Sequence, residues 1–378
     1  MGSAPFGTWM SPTLTIDARN QSGIGVYTFQ LVRLLHDRHG WAVHGLVRRE
    51  KQELYSPYCQ RTTVVDLPIY SPWEQLAVAR AAAKDPILHV PQYNIPLLYR
   101  GTLLATIHDL IHLETTSLPG RIKRQVYASP MMAACARRCQ HIFTVSEYSR
   151  RKMMAMLRIE PERITAIHNG VGDDFRPGDT AKARAAVARR FGIEGPFLLY
   201  VGNLRVHKNI EALLRAYAVL RQSGFPELSV AIVGRDTKRE AELLQLAAEL
   251  KIHPVWIRDA TTPEVADLYR SAEILVQPSF EEGFGLPVVE AMACGTPVVC
   301  STAGALTEIA GDAAAFFDPH QVEELTELLR QVLGSESLRA GLRAKGLERA
   351  KLFTWERSVD RHVEVYSRFV TQPVRQLS

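Results

Sequence analysis

The sequence predicts an α/β protein with two parallel β-sheets, and three observations support this prediction. The chain has 378 residues, whereas a single hydrophobic core stops growing at roughly 250 to 300 residues, so two domains are expected. Short runs rich in β-branched residues alternate with helical patterns along the whole chain, which is typical of βαβ units. The turn-rich segment 173–179 interrupts both patterns and marks the expected domain boundary.

The predicted elements repeat the same rhythm in each half of the chain. After a first strand that ends near Asp17, the expected strands of the first half are Ala42–Val47, Ile87–Val90, Leu103–Ile107, Ile142–Val145 and Ile164–Ile167. Those of the second half are Phe197–Val201, Ser229–Val233, Ile274–Gln277, Pro297–Cys300 and Ala314–Phe317. The last part is helical, over Val322–Leu333, Glu336–Arg349 and from Thr354 onwards. We therefore expect domains at residues 1–178 and 179–353 and a last helix, 354–378, that packs back on the first domain.

The composition is that of an ordinary globular protein, with 46% hydrophobic and 22% charged residues. No apolar stretch is long enough to span a membrane, and residues 1–10 lack the pattern of a signal peptide, so we expect a cytoplasmic protein. Its cysteines are odd in number and scattered, which suits a reducing compartment, and Cys135 and Cys139, one helical turn apart, are not expected to hold a metal.

The charge is concentrated in the first half of the chain. Residues 1–180 carry 21 lysines and arginines against 15 aspartates and glutamates, a net charge of about +6. This half, including the basic helical stretch Arg121–Arg138, could contact the inner face of the cytoplasmic membrane or a phosphate-bearing acceptor, or it could simply be a solvated face. Nucleic acid is not expected, because no basic stretch is interleaved with stacking aromatic residues.

The segment 278–299 is the most informative part of the sequence. A strand ends near Pro278, a loop with Gly283 and Gly285 follows, and a helix is predicted to begin around Leu286. Glycines allow close approach of the backbone to a ligand, and the free N–H groups of a helix N-terminus attract phosphate. Glu282 in the loop and Glu290 one turn into the helix could accept hydrogen bonds from sugar hydroxyls. Alternatively, Glu282 is an exposed loop residue and Glu290 caps the helix.

This segment, E-G-F-G-L-P-V-V-E-A-M-A-C-G-T-P-V-V, resembles the retaining glycosyltransferases of family four. The resemblance covers nearly the full chain and implies two Rossmann-like domains that face a cleft, the arrangement called GT-B. It implies that the C-terminal domain holds a nucleotide diphosphate sugar. The donor-binding residues that it indicates here are Glu282, Gly283, Phe284, Gly285, Leu286 and Glu290.

The segment 200–209 reads as a strand, a glycine turn and a basic loop that opens a helix over Ile210–Leu220. Lys208 and Arg205 could neutralise a leaving diphosphate. The family supplies a lysine in this loop, which indicates Lys208. Many members place an arginine where this chain has Asn203, so Arg205 is the candidate for the second cation and Asn203 is expected near the donor.

In the first half, Gly23 and Gly25 lie between the first strand and a helix that runs to His36. The family uses such a glycine turn near the donor phosphate and the acceptor, although a tight turn without a ligand would also explain the pair. His108 follows another strand and should point into the ligand-binding edge of the sheet. The resemblance implies a hydrogen bond from His108 to the transferred sugar or the phosphate, with Asp109 as a weaker candidate for orienting it.

These motifs together predict a hexosyltransferase that retains the anomeric configuration. The form G-I-G-x-Y resembles the mannosyltransferase branch, which implies GDP-mannose as donor and a glycan or lipid-linked acceptor in bacterial polysaccharide assembly; a UDP-hexose donor is the alternative. No Asp-x-Asp motif occurs in a suitable place, so neither a metal nor another cofactor is expected. A GT-B sugar-nucleotide 2-epimerase would need further catalytic acids, and a nicotinamide dehydrogenase would need a G-x-G-x-x-G motif after a strand.

Overall fold

The computed structural model describes residues 13–20, 22–111 and 127–370. The chain divides into two compact units. The first contains the residues up to Val145, Arg150–Ile167 and the residues from Trp355 onwards, and the second contains Ser146–Ser149 and His168–Thr354. The sequence placed the boundary after residue 178, whereas the second unit of the structure begins its main segment at His168. Arg121, Lys123 and Arg124 of the predicted basic stretch lie outside the described residues.

The first unit is built on a seven-stranded parallel sheet with the order β3-β2-β1-β4-β5-β6-β7. The strands are β1 Thr13–Asp17, β2 Ala42–Val47, β3 Arg61–Val64, β4 Ile87–Val90, β5 Thr102–Thr106, β6 His141–Thr144 and β7 Ile164–Ala166. The described helices up to this point are α1 Ser22–Asp37, α2 Gln52–Tyr55, α3 Pro72–Ala81, α4 Ser129–Arg138 and α5 Glu147–Leu157.

The second unit is built on a six-stranded parallel sheet with the order β10-β9-β8-β11-β12-β13. The strands are β8 Phe197–Val201, β9 Ser229–Val233, β10 Val255–Ile257, β11 Ile274–Gln277, β12 Val298–Ser301 and β13 Ala315–Phe317. The helices are α6 Thr180–Phe191, α7 Ile210–Gln222, α8 Thr237–Glu249, α9 Thr262–Ser271, α10 Leu286–Cys294, α11 Leu306–Ala310, α12 Val322–Gly334 and α13 Glu336–Ala350.

The last helix, α14 Trp355–Val370, belongs to the first unit, as the sequence predicted. Trp355, Val359, Val365 and Tyr366 bury their side chains in the core that α1 and the sheet share. Their spacing places them on one face of a helix, so burial of that face holds the helix against this unit.

The prediction of two Rossmann-like parallel sheets is therefore confirmed. In each sheet the chain adds strands on one side of the first strand and then crosses to the other side, so the order reverses between β1 and β4 and between β8 and β11. Parallel sheets bind ligands beyond the carboxyl ends of the strands at such reversal points. Among the described residues, no helix is both long enough and apolar enough to cross a membrane.

Candidate functional site

The loop after β11 holds a buried carboxylate, Glu282, that is paired with a lysine. Lys208 Nζ lies 2.6 Å from Glu282 Oε1. The same oxygen accepts hydrogen bonds from Gln277 Nε2 at 2.7 Å and Ser279 Oγ at 2.9 Å. Burial would raise the pKa of Glu282, but the charge of Lys208 and these hydrogen bonds lower it below its ordinary value. Glu282 is therefore anionic at neutral pH, and the reading of it as an exposed loop residue is wrong.

The shape of this loop depends on two glycines with positive φ. Gly304 has a φ of +63°, and a Cβ atom there would lie 2.4 Å from the carbonyl oxygen of Glu282. Gly285, with a φ of +96°, is the N-cap residue of α10 and, as a glycine, supplies no side chain to cap that helix. Pro287 has no N–H group and the N–H of Val288 donates to Gly285 O at 3.0 Å, so Leu286 carries the first N–H of α10 that could meet an anion. Donor binding by Gly285 and Leu286 stays a prediction.

Two of the predicted donor-binding residues of this loop have structural contacts. Phe284 is buried and packs edge-on against Phe353, with ring centroids 5.8 Å apart. The carbonyl oxygen of Gly283 accepts a hydrogen bond from Ser146 Oγ at 2.8 Å. These two contacts hold the loop against Phe353 and Ser146.

Glu290 lies one turn into α10, where the sequence placed it. Tyr269 Oη donates a hydrogen bond to Glu290 Oε2 at 2.9 Å. Burial raises the pKa of Glu290 to about 7, although the hydrogen bond from Tyr269 lowers it. Since Gly285 occupies the N-cap, the alternative in which Glu290 caps the helix is wrong. Glu290 has no cation within salt-bridge distance among the described residues, so its carboxylate is available to hydroxyl groups.

Asn209 joins the loop after β8 to the loop after β11. It starts α7 in the left-handed conformation, with a φ of +52°. Its Nδ2 donates hydrogen bonds to Pro278 O at 3.0 Å and to Pro319 O at 2.9 Å. This brings Lys208 to Glu282, whereas Arg205 and Asn203 are exposed, with Asn203 Oδ1 accepting from the backbone N–H of Arg205. The structure therefore unites Lys208 with Glu282 and does not bring Arg205 into this pair.

His108 of the first unit is oriented by a backbone carbonyl. Its ring is hydrogen-bonded to Pro91 O, and its buried Nε2 atom has no partner among the described residues. The bond to Pro91 must therefore use Nδ1 as the donor, which leaves Nε2 as a hydrogen-bond acceptor. Burial lowers the pKa of His108 to about 4, so the ring is neutral at pH 7. Asp109 instead accepts a hydrogen bond from Ile111 N at 3.1 Å, so Pro91 takes the orienting role predicted for Asp109.

A continuous hydrogen-bond chain lies behind His108, and its proton positions follow from its geometry. His362 Nδ1 donates to Ser358 O at 2.8 Å, so Nε2 accepts from Tyr27 Oη at 2.7 Å. Tyr27 Oη then accepts from Thr106 Oγ1 at 2.9 Å, which in turn accepts from a histidine, His89 Nε2, at 2.8 Å. The ring of Tyr27 meets that of His108 edge-on, with centroids 5.1 Å apart and an interplanar angle of 88°. Residues of α14 thus hold the ring against which His108 packs.

The glycines Gly23 and Gly25 lie in the first turn of α1, which begins at Ser22, rather than in a loop before it. Before this helix, Lys51 Nζ donates a hydrogen bond to Asn20 O at 2.8 Å. A Cβ atom on Gly25 would lie 2.9 Å from Asn20 O. Gly25 therefore permits this close packing, while Gly23 faces open space.

Sequence reasoning missed several polar partners. In the first unit, Arg19 Nη2 lies 2.7 Å from both Asp17 Oδ2 and Glu74 Oε1, and all three residues are buried. In the second unit it missed Tyr269 and Gln277. Only Gln277 carried a usable signal, a polar side chain at the end of an otherwise apolar strand. Among the described residues, no group of three or more metal-ligating side chains occurs, and independence from metal stays a prediction.

Comparisons with known families agree with the two-unit architecture. The chain matches the family described as Glycosyl transferases group 1 over residues 187–349 and Glycosyltransferase Family 4 over residues 21–175. It is 30% identical over 286 residues to the O-antigen chain mannosyltransferase B of Escherichia coli, a match that covers 75% of this chain and 74% of that relative.

A second relative and a solved structure extend the match to most of the chain. The D-inositol 3-phosphate glycosyltransferase of Stackebrandtia nassauensis is 28% identical over 387 residues, covering 89% of this chain and 85% of that relative. The sucrose-phosphate synthase structure from Thermosynechococcus elongatus superposes with a TM-score of 0.79 at 22% identity, covering 95% of this chain and 98% of that one. The latter likeness establishes the fold alone.

Proposed function

The chain belongs to the group 1 glycosyltransferases, and on that basis we propose that it transfers mannose from GDP-mannose to a glycan or lipid-linked acceptor with retention of anomeric configuration. The observation that carries this proposal is the group formed by the Lys208–Glu282 pair, Glu290 and the uncapped N-terminus of α10. This group lies where the strand order of the second sheet reverses.

Each member of this group binds a different part of the donor. The N–H group of Leu286 at the positive end of α10 and the ammonium group of Lys208 bind the diphosphate and stabilise the charge that develops on it as it leaves. The carboxylate of Glu290 accepts hydrogen bonds from the ribose hydroxyls, and Glu282 accepts hydrogen bonds from hydroxyls of the hexose. Lys208 and Glu282 also orient each other, so the cation is held in place before the donor arrives.

The reaction proceeds on the face of the sugar from which the diphosphate leaves. The bond between the anomeric carbon and the phosphate oxygen breaks, and the acceptor oxygen forms a new bond to the same face of that carbon. The acceptor hydroxyl gives its proton to a phosphate oxygen, so no protein nucleophile or metal ion is required. The protein contributes orientation and charge stabilisation.

The first unit binds the acceptor side of the reaction. His108 Nε2, fixed as an acceptor by the bond from Nδ1 to Pro91 O, takes a hydrogen bond from a sugar hydroxyl. A neutral histidine suits this role, because a protonated ring would offer only donors. Mannose as the transferred sugar is supported by the 30% identity to the relative named as an O-antigen chain mannosyltransferase.

Calorimetric titration tests the donor. GDP-mannose, UDP-glucose, UDP-N-acetylglucosamine and NAD are each titrated into the wild-type protein, with and without EDTA, and into the variants Glu290→Gln and Glu264→Gln. Glu264 is the matched control, because its carboxylate caps α9 through Thr261. We expect tight binding of GDP-mannose alone, unaffected by EDTA, retained in Glu264→Gln and weakened in Glu290→Gln. Preference for a UDP-sugar would replace the donor assignment, and binding of NAD alone would overturn the proposal.

Proton NMR of the reaction separates a transferase from an epimerase. A transferase consumes GDP-mannose only when an acceptor is present and gives an α-linked product. An epimerase would convert the sugar nucleotide into a second one without any acceptor. Formation of a β-linked product would contradict retention.

A further inference from the structure

The first turn of α5 belongs to the second unit, although the rest of that helix belongs to the first. The helix spans Glu147–Leu157. The segment Ser146–Ser149 is part of the second unit, whereas Val145 before it and Arg150 after it are part of the first. Four residues of the first half of the chain are therefore held by the second unit, and their contacts there involve the loop after β11 that carries Glu282.

Ser146 bonds to both the helix and this loop. Its Oγ accepts a hydrogen bond from Ser149 N at 3.1 Å, which caps α5, and it donates one to Gly283 O at 2.8 Å. Ser149 Oγ donates to the same carbonyl at 3.4 Å. Ser146 is completely buried, so water does not compete for its hydroxyl. Because a hydroxyl has one proton, the orientation that bonds Gly283 leaves a lone pair for the cap.

Glu308 of α11 binds the other N–H groups of this turn. Its Oε1 accepts from Glu147 N at 2.9 Å and its Oε2 accepts from Tyr148 N at 2.8 Å. His168 Nε2 lies 2.8 Å from Oε1 of the same carboxylate. A negative charge at a helix N-terminus is favourable. With the capping bond, the first three N–H groups of α5 all have partners, so this turn is fixed and offers none of them to a ligand.

The loop after β11 is held at three consecutive residues. Tyr148 Oη donates to Glu281 Oε2 at 3.1 Å. Ala305 N, directly before α11, donates to Glu282 O at 2.9 Å. The next carbonyl, Gly283 O, accepts the bond from the capping serine. These bonds close a ring that runs from the loop through α11 and α5 back to the loop, so no member can move alone without lengthening another hydrogen bond.

The ring fixes the backbone on both sides of the Glu282 carboxylate. Among the described residues, the side-chain partners of this carboxylate are Lys208, Gln277 and Ser279, and all three meet Oε1. Oε2 is thus left for a ligand, and its direction depends on where the backbone of the loop is held. Since a hydrogen bond weakens steeply as its geometry departs from the ideal, a small shift of the loop would weaken the bond from a ligand hydroxyl to Oε2.

We propose that Ser146 and Glu308 are positioning residues for donor binding. Through the first turn of α5 they hold the loop after β11 so that the carboxylate of Glu282 meets the hexose. Neither residue touches the substrate, and each acts through the loop. This inference rests on the proposed function, since it takes Glu282 to bind the hexose and Glu290 to bind the ribose.

Isothermal calorimetry on the full chain tests this role with GDP and GDP-mannose at pH 8. The variants are Ser146→Ala and Glu308→Gln. The control, Ser335→Ala, removes the capping serine of another helix, α13, where Ser335 Oγ accepts from Leu338 N at 3.2 Å. The dissociation constant of GDP-mannose should rise about 5- to 20-fold in the two variants and stay at the wild-type value in the control.

The GDP titration separates positioning from general disruption. Glu290, which takes the ribose in the proposed function, is held by Tyr269 on another helix. The dissociation constant of GDP should therefore equal that of wild type in every sample, because the variants disturb only the part of the site that meets the hexose. Equal losses of GDP and GDP-mannose binding would overturn the proposal, as would wild-type binding of GDP-mannose to Ser146→Ala.

A double variant shows whether the effect passes through Glu282. Glu282→Gln should weaken binding of GDP-mannose but not of GDP, and adding Ser146→Ala should have no further effect, because the positioned carboxylate is already lost. Additive effects would overturn the proposal. Tyr148→Phe removes only the hydroxyl that bonds Glu281, so it tests the loop in a protein whose cap is intact and decides the question if the cap variants unfold. It should raise the dissociation constant of GDP-mannose about 2- to 5-fold, and an unchanged value would count against the ring.

The proposed function and this inference fail in different ways. If wild type binds UDP-glucose rather than GDP-mannose, the donor assignment is wrong, and UDP and UDP-glucose replace GDP and GDP-mannose in the same comparison. If wild type binds GDP-mannose and the variants bind it equally well, the proposed function stands and this inference is wrong. Wild-type protein that binds no sugar nucleotide contradicts both.

Discussion

Replacing Glu290 by glutamine should change stability and donor binding in opposite directions. Burial raises the pKa of Glu290 from an ordinary value of 4.5 to about 7. Between these values the folded state binds more protons than the unfolded state, so the stability contributed by this group is full below pH 4.5 and is lost as the pH rises to about 7. At about 1.4 kcal/mol per pH unit, the free energy of unfolding at pH 8 falls by at most about 3 kcal/mol. The actual decrease is smaller, because Glu290 is partly exposed and water screens its charge.

Glutamine avoids this loss because it is uncharged at every pH. Its side-chain oxygen can still accept the hydrogen bond from Tyr269. Urea unfolding at pH 5 and pH 8 should therefore show that Glu290→Gln is stabilised at pH 8 by about 1 to 3 kcal/mol and is nearly unchanged at pH 5. The accompanying rise of the unfolding temperature at pH 8 should be about 2 to 10 °C.

Glu308→Gln is the matched control, and its change in stability at pH 8 should have the opposite sign. Burial would raise the pKa of Glu308, but hydrogen bonds from His168 and from the backbone N–H groups of Glu147 and Tyr148 lower it. A lowered pKa means that the charged form stabilises the fold, and this stability is present above the ordinary value of 4.5 and lost as the pH falls through the lowered pKa. Glu308→Gln should thus be less stable than wild type at pH 8.

The binding result completes this prediction. A carboxylate that accepts ribose hydroxyls makes charge-assisted hydrogen bonds, and glutamine replaces them by neutral ones, at a loss of about 1 to 3 kcal/mol. The dissociation constant of GDP-mannose for Glu290→Gln should rise about 5- to 100-fold at pH 8. If Glu290→Gln is destabilised at pH 8 like Glu308→Gln, or binds the donor as wild type does, the reasoning is wrong.

Three further predictions concern the contacts around the two candidate sites. Lys208→Met leaves the carboxylate of Glu282 buried without its cation and should lower the free energy of unfolding in denaturant by about 3 to 5 kcal/mol. Adding Glu282→Gln should restore stability but not transferase activity. An unchanged free energy of unfolding in Lys208→Met would contradict the pairing. Gly304→Ala places a Cβ atom 2.4 Å from the Glu282 carbonyl, so turnover should fall while circular dichroism shows a folded protein; wild-type turnover would count against the loop geometry. Tyr27→Phe removes the hydroxyl between Thr106 and His362 and should lower the free energy of unfolding by about 1 to 3 kcal/mol. An unchanged value would show that these hydrogen bonds do not contribute to stability.

The fold could be predicted from the sequence because burial on both faces makes parallel strands read as apolar runs. The predicted strands Ala42–Val47, Phe197–Val201 and Ser229–Val233 coincide with β2, β8 and β9. The two strands that the sequence did not indicate both lie at the edge of their sheets: β3 Arg61–Val64 is largely polar, and β10 Val255–Ile257 is apolar but has only three residues. Their strand structure comes from pairing with a neighbour rather than from a local pattern.

Within the candidate site, the sequence indicated single residues that lie in local motifs, but not the contacts that join residues distant in the chain. The loop after β11 and the start of α10 form one continuous segment, so Glu282, Gly285 and Glu290 share a motif. The partner of Glu290, Tyr269, lies on another helix, and Glu74 meets Arg19 across 55 residues of sequence. The fold brings such residues together, and the spacing of residues along the sequence does not predict these contacts.

The two carboxylates of the donor loop show why residue type alone does not determine a role. Glu282 is buried and Glu290 is partly buried, and their pKa values move in opposite directions, because Lys208 lies beside the first and a tyrosine hydroxyl lies beside the second. Glu290 therefore costs stability at neutral pH. It lies beyond a strand beside the reversal point, where a ligand would offset the cost.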